Sequence, residues 1–163
     1  VRRDDETPCA HALFQQPWWL DAVAPGAWDA ATVTNDGEIV GRLPYVRIRR
    51  FGLTILGQPL LTQFLGPWIK PGAGKIHTRL EHEYEILRGL IAALPEHDVF
   101  LQDFHHSITN CLPFYWQGFS QSVRYTYIIE ELDDLDAIWH QMAIINIGIR
   151  QLRKIMLLLH VVP

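Results

Sequence analysis

Gln58–Lys75, QPLLTQFLGPWIKPGAGK, decides how this chain folds. Leu60, Leu61, Phe64, Leu65, Trp68 and Ile69 do not alternate cleanly with polar residues. The pattern predicts a strand over Leu60–Ile69 that is buried on both faces. Gly66-Pro67 interrupts it. Proline has no N–H to give a sheet ladder and glycine packs little, so pairing with the next strand should fail there and the sheet should open. A short loop, Lys70-Pro71-Gly72-Ala73-Gly74-Lys75, follows, and a helix begins at once. Strand, glycine loop and helix in that order can aim backbone N–H groups at an anion.

After the loop, Ile76, Leu80, Tyr84, Leu87, Ile91 and Leu94 recur at helical spacing, which predicts a helix over Lys75–Leu94 that Pro95 stops. Before it, Asp36-Gly37 separates two strand-like runs, Ala30–Asn35 and Glu38–Arg50, as a tight hairpin turn does. Arg47, Arg49 and Arg50 read as a solvated strand end. Phe14–Ala24 reads as a short helix with Pro17 in its first turn and Pro25-Gly26 at its end. Residues 1–12 read as a loose lead-in. Downstream, Asp98–Asp103 is a short strand, Ser107–Gly118 a turn-rich stretch with room for one short helix, and Gln121–Glu130 a strand. Asp133 is placed to cap a last helix running towards Leu159, with Leu135, Ile138, Trp139, Met142, Ile145, Ile149 and Leu152 as its stripe. A hairpin-rich, mixed and mostly antiparallel twisted sheet flanked by helices is α+β in class.

The length, 163 residues, suits one domain with a sizeable core. Nearly half the residues are apolar and a fifth are charged, as in globular chains. A net charge of -4 gives no electrostatic argument for nucleic acid as the main partner. Cys9 and Cys111 are too few for a disulfide framework and fit a reducing compartment. No apolar run is long enough to span a membrane, and no signal peptide is recognisable, so a cytoplasmic protein is expected. The chain starts without Met and breaks off in an apolar run, which reads as a piece of something longer.

Several residues invite a chemical role. Gly72, Gly74 and Lys75 read either as an anion cradle or as an ordinary strand-to-helix turn; the spacing is too short for a P-loop. Thr62, Gln63 and Gly66 lie where the sheet should open, and an open strand can offer N–H groups to an ester or thioester oxygen. The alternative is a satisfied core strand with a proline bulge. Gln102 and His105 follow the strand that should diverge there and are candidates for substrate contact. His97, Asp98, Asp103, His105 and His106 match no zinc spacing, and no metal site is assigned. Pro113, Phe114, Tyr115, Trp116 and Phe119 are either a stacking wall or a hydrophobic plug. Arg124 could pair a substrate carboxylate or phosphate, or sit on a solvated face. No Ser-His-Asp or Cys-His set is recognisable, so no catalytic nucleophile or base is assigned.

The order of elements resembles the GNAT acyltransferase fold. Leu13–Val23 (LFQQPWWLDAV), Gly41–Tyr45 (GRLPY), Pro59–Trp68 (PLLTQFLGPW), Leu112–Phe119 (LPFYWQGF) and Arg124–Tyr127 (RYTY) together resemble the first half of FemAB-like proteins, a bacterial branch of GNAT-like transferases. The resemblance covers roughly residues 13–154 and implies a GNAT-like domain over 13–132. Residues 133–163 would then be a helix leading towards a second GNAT-like half that this chain lacks. It implies N-acyl or aminoacyl transfer to an amine, in the best-known branch the extension of peptidoglycan precursors. Acyl-CoA or aminoacyl-tRNA would serve as donor substrate, with no cofactor required. The family's Arg-Lys helix is represented by Asn146, Arg150, Arg153 and Lys154 with altered spacing around Gly148. Arg150, Arg153 and Lys154 could meet phosphates of a tRNA, although the net charge does not argue for it. The expected partners are a small-molecule or precursor substrate, the missing half, and a second copy through the uncovered last helix. The rival readings are a non-catalytic binding module and a single-domain, CoA-dependent N-acetyltransferase; the incomplete glycine pattern argues against the latter.

Overall fold

A computed structural model describes residues 7–126 and 154–160. A 3-10 turn, Leu13–Gln15, leads into α1, Pro17–Val23, with Pro17 at the first helical position, where its missing N–H costs no bond. β1, Trp28–Asn35, and β2, Glu38–Arg50, form the hairpin expected at Asp36-Gly37. Both turn residues have positive φ, 50° and 80°, the conformation that a tight hairpin turn of this hand requires. β3, Leu53–Gly57, then returns antiparallel along the far half of β2. β4 is only Trp68–Ile69 and pairs with Gly41 and Arg42 at the near half of β2.

α2, Ile76–Ala92, follows, then β5, Val99–Asp103, α3, Leu112–Trp116, β6, Ser120–Thr126, and β7, Lys154–His160. The strand order is β1-β2-β3-β5-β7-β6, with β4 off that path on β2. Only β3 and β5 run parallel among the paired strands; the other pairs are antiparallel. The chain is therefore α+β, with a mostly antiparallel sheet flanked by helices.

The core lies between the sheet and α2 with α3. Ile86, Leu87 and Leu90 are buried against Leu43, Leu56 and Phe100. Two glycines allow this closeness. A Cβ on Gly41 would lie 2.4 Å from the Ile86 Cγ2, and one on Gly89 would lie 2.9 Å from the Val33 Cγ2. Phe100, Phe104, Phe114 and Phe119 form one aromatic cluster under α3. Pro113, Phe114 and Phe119 are thus the plug of the two readings offered for that stretch, while Tyr115 and Trp116 stay exposed.

Four expectations need correction. First, no continuous strand covers Leu60–Ile69, and Leu60 and Leu61 are 87% and 84% exposed. The strand in that position along β2 is Leu53–Gly57. Second, the α2 stripe starts too early, since Ile76 and Leu80 face solvent while Ile86 and Leu90 join Leu87 in the core. Third, residues 7–12 are tied down: the Thr7 N–H donates to Gln16 Oε1, Gln16 Nε2 donates back to the Thr7 carbonyl, and the His11 N–H donates to Gln15 Oε1. Fourth, Lys154–His160 is a strand between β5 and β6, not the end of a helix. A short continuous apolar run fits an internal strand as well as a helix turn. Dimerisation through a helix at those residues falls with it. The expected helix over 133–153, with Arg150 and Arg153, lies outside the described residues.

Candidate functional site at the break in the sheet

β2 is paired by β3 from Val46 to Arg50 and by β4 at Gly41 and Arg42, so Leu43–Tyr45 have no strand on that side. Side-chain amides fill the gap. Gln102, 1% exposed on β5, donates from Nε2 to the Pro44 carbonyl at 2.8 Å and towards that of Gly57 at 3.4 Å. Its Oε1 accepts the Gly66 N–H at 3.1 Å. Gln15, fully buried, donates to the Leu65 and Gly66 carbonyls at 2.8 and 3.0 Å. The buried Arg42 guanidinium donates to the Gln15 carbonyl at 2.7 Å. These groups must be paired where water is excluded, and here they pair with one another.

Between β3 and β4 the chain swings outward. Gln58 closes the loop at its base, donating to the Thr62 carbonyl and accepting the Asp103 N–H, both at 2.8 Å. Leu61 at the tip has φ 63°. Thr62 is buried and its hydroxyl accepts the Trp19 indole N–H at 3.2 Å. The chain then touches β5 once: the Leu65 N–H donates to the Asp103 carbonyl at 2.7 Å, in a single parallel bridge between Leu65 and Phe104. At Gly66-Pro67 it crosses to β2. Gly66 has φ 73°, and a Cβ there would lie 2.8 Å from the Phe104 Cδ1. No ladder runs along both segments, which is the opening expected at the glycine-proline break.

The opening has a definite chemistry. Among the described residues, the backbone N–H groups of Thr62, Gln63 and Phe64 have no protein acceptor. The Gly66 N–H, by contrast, is occupied by Gln102. At the end of β5, where the Asp103 carbonyl accepts the Leu65 N–H, stands the Asp103 carboxyl. Its side chain is 14% exposed, and Oδ1 is buried with no hydrogen-bond partner among the described residues. Oδ2 is 3.8 Å from the Arg124 guanidinium, which comes from β6 across β7. Burial holds the Asp103 carboxyl above the usual carboxylate range, and Arg124 opposes that shift.

His105 packs against Phe64 of the loop at 4.8 Å between ring centroids, and His11 stacks on it at 5.3 Å. His106 lies 4.0 Å from it. Burial, then the neighbouring His106 and His11, lower the His105 pKa to about 4. His105 is therefore neutral at pH 7. Its Nδ1 accepts the Ser107 N–H at 3.2 Å, and because that group can only donate, the ring proton sits on Nε2. Among the described residues no group of three or more His, Cys, Asp or Glu could hold a metal ion. Cys111 is buried, and burial pushes its thiol up to about 11, so it is not a thiolate nucleophile at neutral pH.

Of the residues named from sequence, Thr62, Gln63, Gly66, Gln102, His105 and Arg124 all fall around this break. Gln102 and Gly66 support its architecture, His105 packs against Phe64, Arg124 approaches Asp103, and Gln63 is exposed. Gly72, Gly74 and Lys75 lie elsewhere. Gly72 belongs to a cleft of about 310 Å³ at the β1–β2 turn, lined also by Asp36, Glu38 and Lys70. Lys70 is paired with Glu38 at 2.5 Å. Glu38 neutralises Lys70, and the remaining Asp36 carboxylate opposes phosphate binding there. In the sequence Asp103 belongs only to a His-Asp cluster that matches no zinc spacing; its position after Gln102, at the end of the diverging strand, is the signal for it. No protein-family model, curated protein or solved structure matches this chain.

Proposed function

We propose that this chain is the substrate-binding, amino-terminal half of a GNAT/FemAB-like transferase that moves an acyl or aminoacyl group onto an amine, and that it does not turn over alone. The observation that carries the reading is the single Leu65–Phe104 bridge followed by the crossing at Gly66-Pro67. Among the described residues the N–H groups of Thr62–Phe64 have no acceptor, and the half-buried Asp103 ends the strand that the bridge touches. Donors fixed in this way can stabilise the oxyanion that forms when an amine adds to an ester or thioester carbonyl. The amine nitrogen bonds to the acyl carbon, the bond to the alcohol or thiol breaks, and the nitrogen loses a proton. Asp103, with its proton affinity raised by burial, is suited to take that proton and pass it to the departing oxygen or sulfur, and Arg124 to hold an anionic group of the acceptor. The donor would be an aminoacyl-tRNA or an acyl-CoA, and no resident cofactor is involved. The Asp36 carboxylate in the cleft at Gly72 disfavours the single-domain CoA enzyme. The binding-module reading is favoured only by the internal saturation of Gln102 and Gly66.

The test is an acyl- and aminoacyl-transfer assay on this chain beside a protein with a second half joined to it. Removing one wall of the cleft gives up positioning worth about 10⁵ or more in effective molarity. Equal turnover by both overturns the reading. Thr62→Ala and Arg124→Ala should slow only the joined protein.

A further inference from the structure

We infer that the tip of the β2–β3 hairpin is a docking surface for an anionic membrane interface, with Phe51 as the inserting side chain. Phe51 is 89% exposed at the apex of the turn, with φ 52°, and Gly52 follows with φ 81°. A bulky residue in the left-handed region is strained, and asparagine or glycine would make the same turn with less strain. Among the described residues its only ring contact is the Arg50 guanidinium, 5.1 Å from the centroid.

The residues behind the apex extend the apolar surface. The register pairs Ile48 with Ile55 and Arg50 with Leu53, so these four share one face of the hairpin. Ile48 and Leu53 are 42% and 45% exposed. Arg47 and Arg49 lie on the other face with Thr54, in a cleft shared with Glu96, His97 and Asp98. The Asp98 carboxylate accepts the Thr54 N–H at 2.7 Å. The two carboxylates offset Arg47 and Arg49 in part. Arg50, on the apolar face beside Phe51, has no ion-pair partner among the described residues. A cation at the edge of an exposed aromatic and aliphatic tip complements an interface that is apolar below and anionic above. A convex tip offers no flat platform on which bases could stack. Peripheral docking needs no spanning helix, and among the described residues no helix is long and apolar enough to cross a membrane. The inference does not rest on the transfer chemistry.

The test is co-sedimentation of the full chain with vesicles of phosphatidylcholine alone and with vesicles enriched in phosphatidylglycerol. The chain is expected to bind the anionic vesicles better. Phe51→Asn keeps the turn, since asparagine takes positive φ readily, and should lose about tenfold in partitioning to both vesicles. Arg50→Gln should lose about fivefold on the anionic vesicles only. Circular dichroism and thermal melting of Phe51→Asn exclude unfolding as the cause of a loss. A wild-type chain that stays in the supernatant with both vesicles overturns the proposal, as does unchanged binding by Phe51→Asn. Retention of single-stranded RNA without retention of vesicles reassigns the tip to nucleic acid.

Discussion

Replacing Gln102 by leucine removes the side chain that bridges β2, β3 and the Gly66 segment. Leucine is close in volume, so the cavity contribution is small and polar groups dominate. The substitution deletes one good donor to Pro44, one acceptor from Gly66 and a weaker contact to Gly57. The amide is 1% exposed, so water cannot readily replace it. Each buried group left without a partner costs about 1–3 kcal/mol. Two such groups give a loss of about 2–6 kcal/mol, against a total stability of about 5–15 kcal/mol for a domain of this kind. Urea unfolding followed by tryptophan fluorescence reads the change directly. The midpoint should fall while the slope stays constant, because the surface exposed on unfolding is nearly unchanged. A Gln102→Leu chain within about 0.5 kcal/mol of wild type would refute the claim that side-chain amides stand in for the missing ladder.

Gly66→Ala meets both a positive φ and the Phe104 ring, so we expect a loss of about 2–3 kcal/mol in the same unfolding assay, and an unchanged midpoint would contradict the crossing at that residue. His105 has a folded-state pKa lowered from 6.5 to about 4, so its stabilising contribution is present above pH 6.5 and is lost as pH falls towards 4. Discounted for its solvent contact, this amounts to about 1 kcal/mol; His105→Asn should flatten the stability profile between those values, and an identical profile would count against the stacked histidines. Cys111, buried and with its thiol pushed up to about 11, should resist iodoacetamide in the native protein while Cys9 reacts, and equal labelling would place Cys111 at the surface.

How much of this was legible in the sequence depended on whether the signal was local. The β1–β2 hairpin was, because Asp36-Gly37 needs nothing beyond its own backbone conformation. So were α1 and the extent of α2, where Pro17 and Pro95 supply the punctuation. The buried side of α2 was legible only at its C-terminal half, since Ile76 and Leu80 extend past the sheet they would have packed on. Leu60–Ile69 misled because an apolar run reads as a strand, and its ladder partners are in fact Gln15, Gln58 and Gln102, distant in sequence. Ile155–Leu159 misled in the opposite direction: five apolar residues in a row carry no period, and only the β5–β7–β6 pairing makes them a strand. The break at Gly66-Pro67 was legible from the missing proline donor. Asp103 was not, because its burial and the approach of Arg124 arise only when β5, β6 and β7 lie side by side.

If Asp103 is the base of the proposed transfer, its titration governs the rate. The most direct measurement is the pH dependence of kcat for acyl transfer by a protein with both halves, wild type against Asp103→Asn. We expect a fall in kcat of about 10²–10⁴ with little change in KM for the donor, and loss of the acidic limb of the profile. An Asp103→Asn protein with wild-type kcat and the same acidic limb would contradict it.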